Sequence, residues 1–230
     1  MHAWRMAFLG ALLLPATALG SSLITNGSFE APAVPAGYYT NFGPGDTSIP
    51  GWTVVGASGT NVAIGSNNFT YEGVLFEAYD GDQYVDLTGS TNSDTQGLTQ
   101  SVATTPGHQY QLGYFVGNTT GGTDVGTSSI VDVQVNGAAA YSDTNAFDAT
   151  GIAWEGFTHT FVVAGATTSL TFLNGDPAND TWNGLDDVTL TDLDAGGAGG
   201  PAVPEPASLL VLAAGLLGLA GTVGVRRRWV

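Results

Sequence analysis

The chain has 230 residues, with 20 acidic and four basic residues, a formal net charge of −16 and no cysteine. The basic residues are Arg5, Arg226, Arg227 and Arg228, so residues 6–225 contain no Lys or Arg. A segment with only negative charges cannot neutralise phosphates, which makes nucleic acid a poor partner. The lack of cysteine excludes disulfides and thiol chemistry.

The N-terminus has the three parts of a secretory signal peptide. Arg5 supplies positive charge, an apolar run extends from Ala7 to Leu14, and small residues follow. This run is too short to span a bilayer, which needs about 20 apolar residues. We therefore expect residues 1–20 to be removed on export, with cleavage after Ala18 or after Gly20.

The C-terminus combines a Pro-Glu-Pro sequence, an uncharged apolar stretch and an arginine cluster, in that order. These parts are Val203, Pro204, Glu205 and Pro206, then residues 207–225, then Arg226, Arg227 and Arg228. The stretch is long enough for a single transmembrane helix. The arginines predict that its C-terminal end lies in the cytoplasm.

This order resembles the PEP-CTERM sorting signal over about the last 28 residues. The resemblance implies an envelope protein of a Gram-negative bacterium that makes exopolysaccharide. It also implies processing near the Pro-Glu-Pro by an exosortase-type enzyme. The protein would be anchored in the inner membrane until then, and would act at the cell surface or in the extracellular matrix. A permanent membrane anchor is the alternative.

Residues 21–194 are predicted to form one all-β domain, followed by a Gly-rich linker at residues 195–202. Short β-branched and aromatic runs alternate with turns, and no segment has a sustained helical period. Nine short strands indicate a two-sheet β-sandwich or jelly roll. The predicted strands are Gly51–Val55, Asn61–Ile64, Gln83–Leu87, Leu98–Ala103, Gln109–Gly117, Ile130–Val135, Gly156–Val163, Thr168–Leu173 and Leu185–Leu190.

Three blocks of this domain are distinctive: Leu23–Glu30, Ile49–Val54 and Asn183–Leu190. With Asp82–Leu87 and Leu98–Val102 between them, they resemble the galactose-binding-like jelly rolls. Those domains include many carbohydrate-binding modules and the DUF642-type wall proteins. The resemblance implies a structural Ca²⁺ where the first and last blocks meet at one edge.

The resemblance assigns this calcium to Glu30 with Asp186 or Asp187. Calcium prefers about six to eight oxygen ligands, typically carboxylates and backbone carbonyls. Alternation along the last strand predicts Asp186 on the face of Val188 and Leu190, and Asp187 on the opposite face. An inward Asp186 would have no cationic partner, which is costly unless a metal ion neutralises it. Two solvated acids are the alternative.

Carbohydrate sites of β-sandwiches combine exposed aromatic rings with amide and carboxylate groups. Tyr38 and Tyr39 lie in a Pro/Gly-rich loop, and Trp182 precedes Asn183. We expect these four residues to bind carbohydrate, while core packing is the alternative for each ring. Other aromatic residues outside the predicted strands are Phe42, Phe69, Tyr71 and Tyr79.

Catalysis is not expected from the sequence. His108 lies in a turn and His159 in a strand, and neither belongs to a known nucleophile or metalloprotease motif. No pair of carboxylates stands out as a glycosidase pair. The sequence therefore predicts a non-catalytic, calcium-stabilised surface protein that binds polysaccharide. The alternatives are an acidic matrix protein without a discrete ligand and, less favoured, a small glycan-active enzyme.

Overall fold

The computed structural model describes residues 20–91, 96–123, 125–177 and 182–195. The predicted signal peptide up to residue 19, the linker from residue 196 and the sorting segment lie outside the described residues. Within the described ranges, no helix is long and apolar enough to cross a membrane.

The described residues form thirteen β-strands. They are β1 (Tyr39–Phe42), β2 (Thr53–Val55), β3 (Val62–Ser66), β4 (Phe69–Tyr71), β5 (Val74–Phe76), β6 (Gln83–Asp86), β7 (Gly97–Ala103), β8 (Gln109–Asn118), β9 (Ser129–Val135), β10 (Ala138–Asn145), β11 (Ala153–Val162), β12 (Thr167–Asn174) and β13 (Gly184–Asp192).

These strands form two antiparallel sheets and one separate hairpin. The first sheet has six strands in the order β1-β3-β6-β13-β8-β11, and the second has five in the order β10-β9-β12-β7-β2. Strands β4 and β5 pair only with each other. The predicted all-β sandwich is confirmed, and each of the nine predicted strands corresponds to a strand of the structure.

Strands β1, β4, β5 and β10 were not predicted. Strand β10 is a mostly exposed sheet edge built from small and polar residues, so it lacks the usual β-branched pattern. It follows β9 through Asn136 and Gly137, whose φ angles are 53° and 78°. Glu72 and Gly73, at 49° and 82°, connect β4 to β5 in the same way. Two central residues with positive φ are typical of a type I′ hairpin turn.

The main core lies between the two sheets. Alternate residues of β8 face it, and Tyr110, Leu112, Tyr114 and Val116 are all at most 1% exposed. This confirms the period of two that the sequence shows on this strand. Each such side chain contributes about 1.5–3 kcal/mol when it is fully removed from water.

A second apolar cluster lies on the outer face of the six-stranded sheet. Tyr84 belongs to this cluster whereas its neighbour Val85 belongs to the main core, because successive strand residues point to opposite faces. The β4–β5 hairpin contributes Val74 and Phe76, and Trp182 precedes β13. The sandwich thus buries aromatic rings outside as well as between its sheets.

Two glycines make room for these outer rings. A Cβ atom on Gly117 would lie 2.7 Å from the ring of Trp182 and 2.8 Å from that of Trp154. A Cβ atom on Gly184 would lie 2.6 Å from Trp182 and 3.0 Å from Trp154. Neighbouring strands carry these glycines directly opposite each other. Without side chains there, both tryptophan rings can lie against the sheet.

The substitution Gly117→Ala tests this packing. Its methyl group has no free space, so we expect the free energy of unfolding to fall by about 1–3 kcal/mol, as in other overpacked cores. Urea denaturation followed by tryptophan fluorescence measures the change. Gly151→Ala is the control, because a Cβ atom there meets nothing within 4 Å. Equal effects of the two substitutions would contradict the proposed role of Gly117.

Candidate ligand-binding site

A cavity of about 430 Å³ opens on the outer face of the six-stranded sheet, next to the second cluster. Strands β1, β3 and β6, the β4–β5 hairpin and three loop segments form its walls. The lining residues are Tyr39, Ala63, Gly65, Phe69, Tyr71, Phe76, Tyr84, Asp86, Gly89, Ser90, Thr91, Val125 and Trp182. Six of them are aromatic, so most of the wall is apolar.

The aromatic wall is a chain of ring contacts. The ring centroids of Tyr39 and Phe69 are 5.3 Å apart, those of Phe69 and Phe76 are 5.6 Å apart, and those of Phe76 and Trp182 are 5.2 Å apart. The first and last of these pairs meet edge to face, a favourable geometry for aromatic rings. Tyr39 and Tyr71 are 51% and 47% exposed and form the rim. The rim rings are therefore free to stack on a ligand.

A short polar segment completes the lining. It contains Asp86, Ser90 and Thr91. The side-chain amide of Asn61 donates a hydrogen bond to Ser90 Oγ at 2.9 Å, and Thr91 Oγ1 donates one to Gln96 Oε1 at 2.8 Å. These bonds fix the hydroxyl groups in place. The cavity thus offers both ring faces and oriented hydrogen-bonding groups.

Asp86 is the carboxyl group of the cavity lining. It pairs with Ala63 on one side and with Gly184 on the other, so its neighbours across the sheet are small. Its Oδ1 accepts bonds from the Thr88 N–H at 2.9 Å, the Thr88 hydroxyl at 2.7 Å and the Asn183 N–H at 3.2 Å. Burial raises the pKa of Asp86 to about 7, although these hydrogen bonds act in the opposite direction.

The four predicted carbohydrate-binding residues have different positions in the structure. Tyr39 and Trp182 both line the cavity. Tyr38 is 66% exposed and does not line it. The side chain of Asn183 is fully buried and donates to the side-chain oxygen of Asn174 at 2.8 Å, so it does not face the cavity. Its backbone N–H nevertheless donates a hydrogen bond to Asp86 Oδ1.

Sequence reasoning did not identify Asp86 or Tyr84 as cavity residues. Both lie in the predicted strand Gln83–Leu87, and alternation puts them on the face opposite Val85. A carboxyl group on a strand face otherwise used by aromatic residues is an unusual pattern. The local sequence does not show that there is open space beside this carboxyl group, because the glycines that leave this space belong to other strands.

The predicted calcium ligands Glu30 and Asp186 both hold the loop before β6. Glu30 Oε1 accepts the N–H groups of Asp82 at 2.8 Å and of Gln83 at 2.9 Å. A Cβ atom on Gly81 would lie 2.3 Å from the same oxygen, so the glycine permits this contact. The Glu30 carboxylate therefore acts as a cap for the loop.

Asp186 is fully buried beneath the same loop. Its Oδ2 accepts the N–H groups of Tyr79 at 2.8 Å and of Asp80 at 3.0 Å, and its Oδ1 accepts the N–H of Asp187 at 2.7 Å. Burial raises the pKa of Asp186 to about 8 despite these bonds. Burial and then the charge of Asp80 raise the pKa of Asp187.

The predicted face of Asp186 is wrong. Leu185 and Val188 both belong to the main core although they are three residues apart, because β13 has an irregular register between Asp186 and Thr189. Asp187 has a φ of 45° at this irregularity. A bulge of this kind breaks the alternation. Asp186 consequently lies on the outer face, opposite Val188.

The carboxylates around this loop do not form a calcium shell by themselves. Among the described residues, the acidic and histidine side chains with three ligand atoms within 4.8 Å of one another are His108, Asp192 and Asp194, elsewhere in the domain. The oxygens of Glu30 and Asp186 instead accept backbone N–H groups. A calcium ion held by Glu30, Asp186 or Asp187 stays a prediction from the sequence.

The domain is an antiparallel β-sandwich with an aromatic cavity on the outer face of one sheet. Residues 21–190 match the family described as HpiC1 cyclase, HpiC1-like. The chain belongs to this HpiC1 cyclase-like family. Residues 202–228 match the PEP-CTERM protein-sorting motif, which confirms that resemblance. The motif marks an exported protein that is transiently anchored in the membrane and processed by an exosortase.

The fold is similar to that of a solved cyclase structure. A Stig cyclase, Fisc, from Fischerella sp. TAU, in complex with (3Z)-3-(1-methyl-2-pyrrolidinylidene)-3H-indole, is 22% identical, with a TM-score of 0.54 over 74% of this chain and 96% of that chain. The CBM22-1 xylan-binding domain of Paenibacillus barcinonensis Xyn10C is 18% identical, with a TM-score of 0.41 over 70% and 97%. No curated protein matches the chain. At 22% identity, the similarity to the Stig cyclase concerns the fold alone.

The raised pKa of Asp86 predicts a pH dependence of stability. The folded state keeps the proton from the usual value of 3.8 up to about 7, whereas the unfolded state has lost it, so stability falls as pH rises through this window. We expect urea unfolding to show a steeper fall for the wild type than for Asp86→Asn. The slopes should differ by at most about 1.4 kcal/mol per pH unit. Equal slopes in the two proteins would contradict the burial of an ionisable Asp86.

Proposed function

We propose that this exported protein binds one small ring-bearing molecule in the aromatic cavity. The proposal rests on one observation: six aromatic residues and one carboxyl group line a cavity of about 430 Å³. Ligand pockets in proteins have volumes of roughly 300–1,000 Å³. The cavity is near the lower end of this range, so it has room for one or two rings rather than for a long chain segment.

A sugar ring, such as the end of a surface polysaccharide, is the ligand that the lining fits best. The apolar face of a pyranose stacks on aromatic rings, here Tyr39 and Tyr71 at the rim. Its hydroxyl groups need polar partners, which Ser90, Thr91 and Asp86 supply. This proposal keeps the carbohydrate-binding function predicted from the sequence and moves its centre to the cavity.

Acid catalysis is a second candidate function, favoured by Asp86. A carboxyl group with a pKa of about 7 can hold a proton near neutral pH and give it to a bound molecule. Membership of a family named for a cyclase favours the same role. Our first proposal is binding without catalysis. A bound molecule that is recovered chemically changed would support the second function instead.

A ligand screen tests the first proposal. We would screen glycans and small aromatic compounds, and measure the affinity of hits for the wild type and for Tyr39→Ala. Loss of one stacking ring should weaken binding by roughly twofold to tenfold, since such a contact contributes about 0.5–1.5 kcal/mol. Tyr39 is half exposed, so the thermal midpoint should stay unchanged.

Tyr38→Ala is the matched control, because Tyr38 is the adjacent tyrosine and does not line the cavity. Its substitution should leave the affinity unchanged. If a folded wild-type protein bound no compound, the binding proposal would fail. An acidic matrix protein without a discrete ligand would then be the better reading.

We also propose that calcium stabilises the loop of residues 79–83. Glu30 and Asp186 hold this loop, and residues 6–225 contain no Lys or Arg, so a bound cation would offset the charge of Glu30 and favour the ionised form of Asp186. The thermal midpoint should be higher in calcium than in EDTA, because an ion that binds only the folded state stabilises that state. Glu30→Gln keeps an oxygen for the loop N–H groups and should reduce this difference. Equal midpoints for the wild type would rule out the calcium site.

A further inference from the structure

We infer that the cavity prefers a ring carrying a positively charged ammonium group over a neutral or anionic ring of the same shape. This inference rests on the proposed ligand-binding function and names the class of ligand. An amino sugar and an aromatic amine share this chemistry. Three features of the structure support the preference: the missing cationic side chains, the carboxyl group in the lining, and the aromatic ring faces at the rim.

Among the described residues, no side chain offers a free positive charge to an anionic ligand. Residues 6–225 contain no Lys or Arg, which leaves histidine as the cationic side chain of the described domain. His108 lies 2.9 Å from Asp192, and His159 lies 2.6 Å from Asp143, so both histidines already have a carboxylate partner. Neither histidine lines the cavity. An anionic ring would therefore enter the cavity without a counter-charge.

The cavity lining has two kinds of group that attract a cation. Asp86 is half-buried, so part of its surface can be reached from the cavity. An ammonium group beside it would form a charge-assisted hydrogen bond, which is stronger than a bond between neutral groups. The faces of Tyr39 and Tyr71 at the rim also attract cations through their electron-rich rings. A neutral ring gains the stacking but not the charge interactions.

The charge of the whole domain acts in the same direction. An acidic surface concentrates cations near an opening and repels anions, which changes mainly the rate of association. Salt screens this long-range effect much more than it screens a contact inside a partly buried cavity. The preference for the amine that persists at high salt, where the general field is screened, therefore reports the local effect of Asp86.

Two matched sets of probes test the inference by calorimetry at about pH 8, where Asp86 is mostly ionised. The aromatic set is phenethylamine, 2-phenylethanol and 3-phenylpropionate, which share a ring and differ in charge. The sugar set is 2-aminoethyl glucoside and 2-hydroxyethyl glucoside, because a primary alkylamine stays protonated at this pH. In at least one set we expect the amine to bind about tenfold more tightly than the alcohol. Phenylpropionate should bind more weakly than both aromatic partners. The set that responds identifies the source of the ring.

Asp86→Asn should remove most of the advantage of the amine over the alcohol, because the asparagine amide can still form hydrogen bonds but carries no charge. Glu77→Gln is the control, because it removes one charge at an exposed position outside the cavity lining. It should leave the advantage intact. If Asp86→Asn does not fold, the ranking of the probes on the wild type decides the question.

Two results would overturn the inference while the proposed function stands: alcohols that bind as tightly as their amines, or an advantage of the amine that persists in Asp86→Asn. If a folded wild-type protein binds neither these probes nor any compound of the broader screen, the proposed function fails together with the inference.

Discussion

Backbone N–H groups, hydroxyl groups and histidines balance the carboxylates of this domain, because residues 6–225 contain no Lys or Arg. Asp186 accepts three N–H groups, and Asp86 accepts two N–H groups and a hydroxyl. Such partners belong to nearby turns, so each carboxylate fixes a particular loop. Glu30 and Asp186 both hold the loop that leads into β6, and β6 carries Tyr84 and Asp86 into the cavity. The carboxylates that hold this loop in the absence of Lys and Arg therefore also help to position the cavity residues of β6.

The cavity also requires two adjacent positions of the sheet that have no side chain. Gly117 and Gly184 let Trp182 lie against the outer face, and Trp182 then forms one wall of the cavity. The buried part of that wall therefore contributes to stability as well as to any binding. The rim differs, since Tyr39 and Tyr71 are half exposed and add little to the packing. Substitutions at the rim can therefore change ligand binding without changing stability, whereas substitutions in the buried wall would change both.

The sequence was informative where structure depends on local pattern. The period of two on β8 predicted its core face, and the nine strands with clear β-branched or aromatic runs were all found. The hairpins at Glu72-Gly73 and Asn136-Gly137 were missed because their strands are short, polar or exposed. The face of Asp186 could not follow from alternation, because a bulge at Asp187 interrupts it. The cavity itself depends on residues of different strands, and the local sequence does not show which distant strands pair in the folded sheet.

The two candidate functions share one physical origin. Burial raises the pKa of Asp86, so a carboxyl group that lines the ligand cavity is also harder to ionise. A neutral ligand that displaces water from the cavity would raise the pKa further and leave Asp86 protonated, as a hydrogen-bond or proton donor. A cationic ligand would lower it and make Asp86 a counter-ion. The charge of the natural ligand therefore decides which of the two roles the same residue takes.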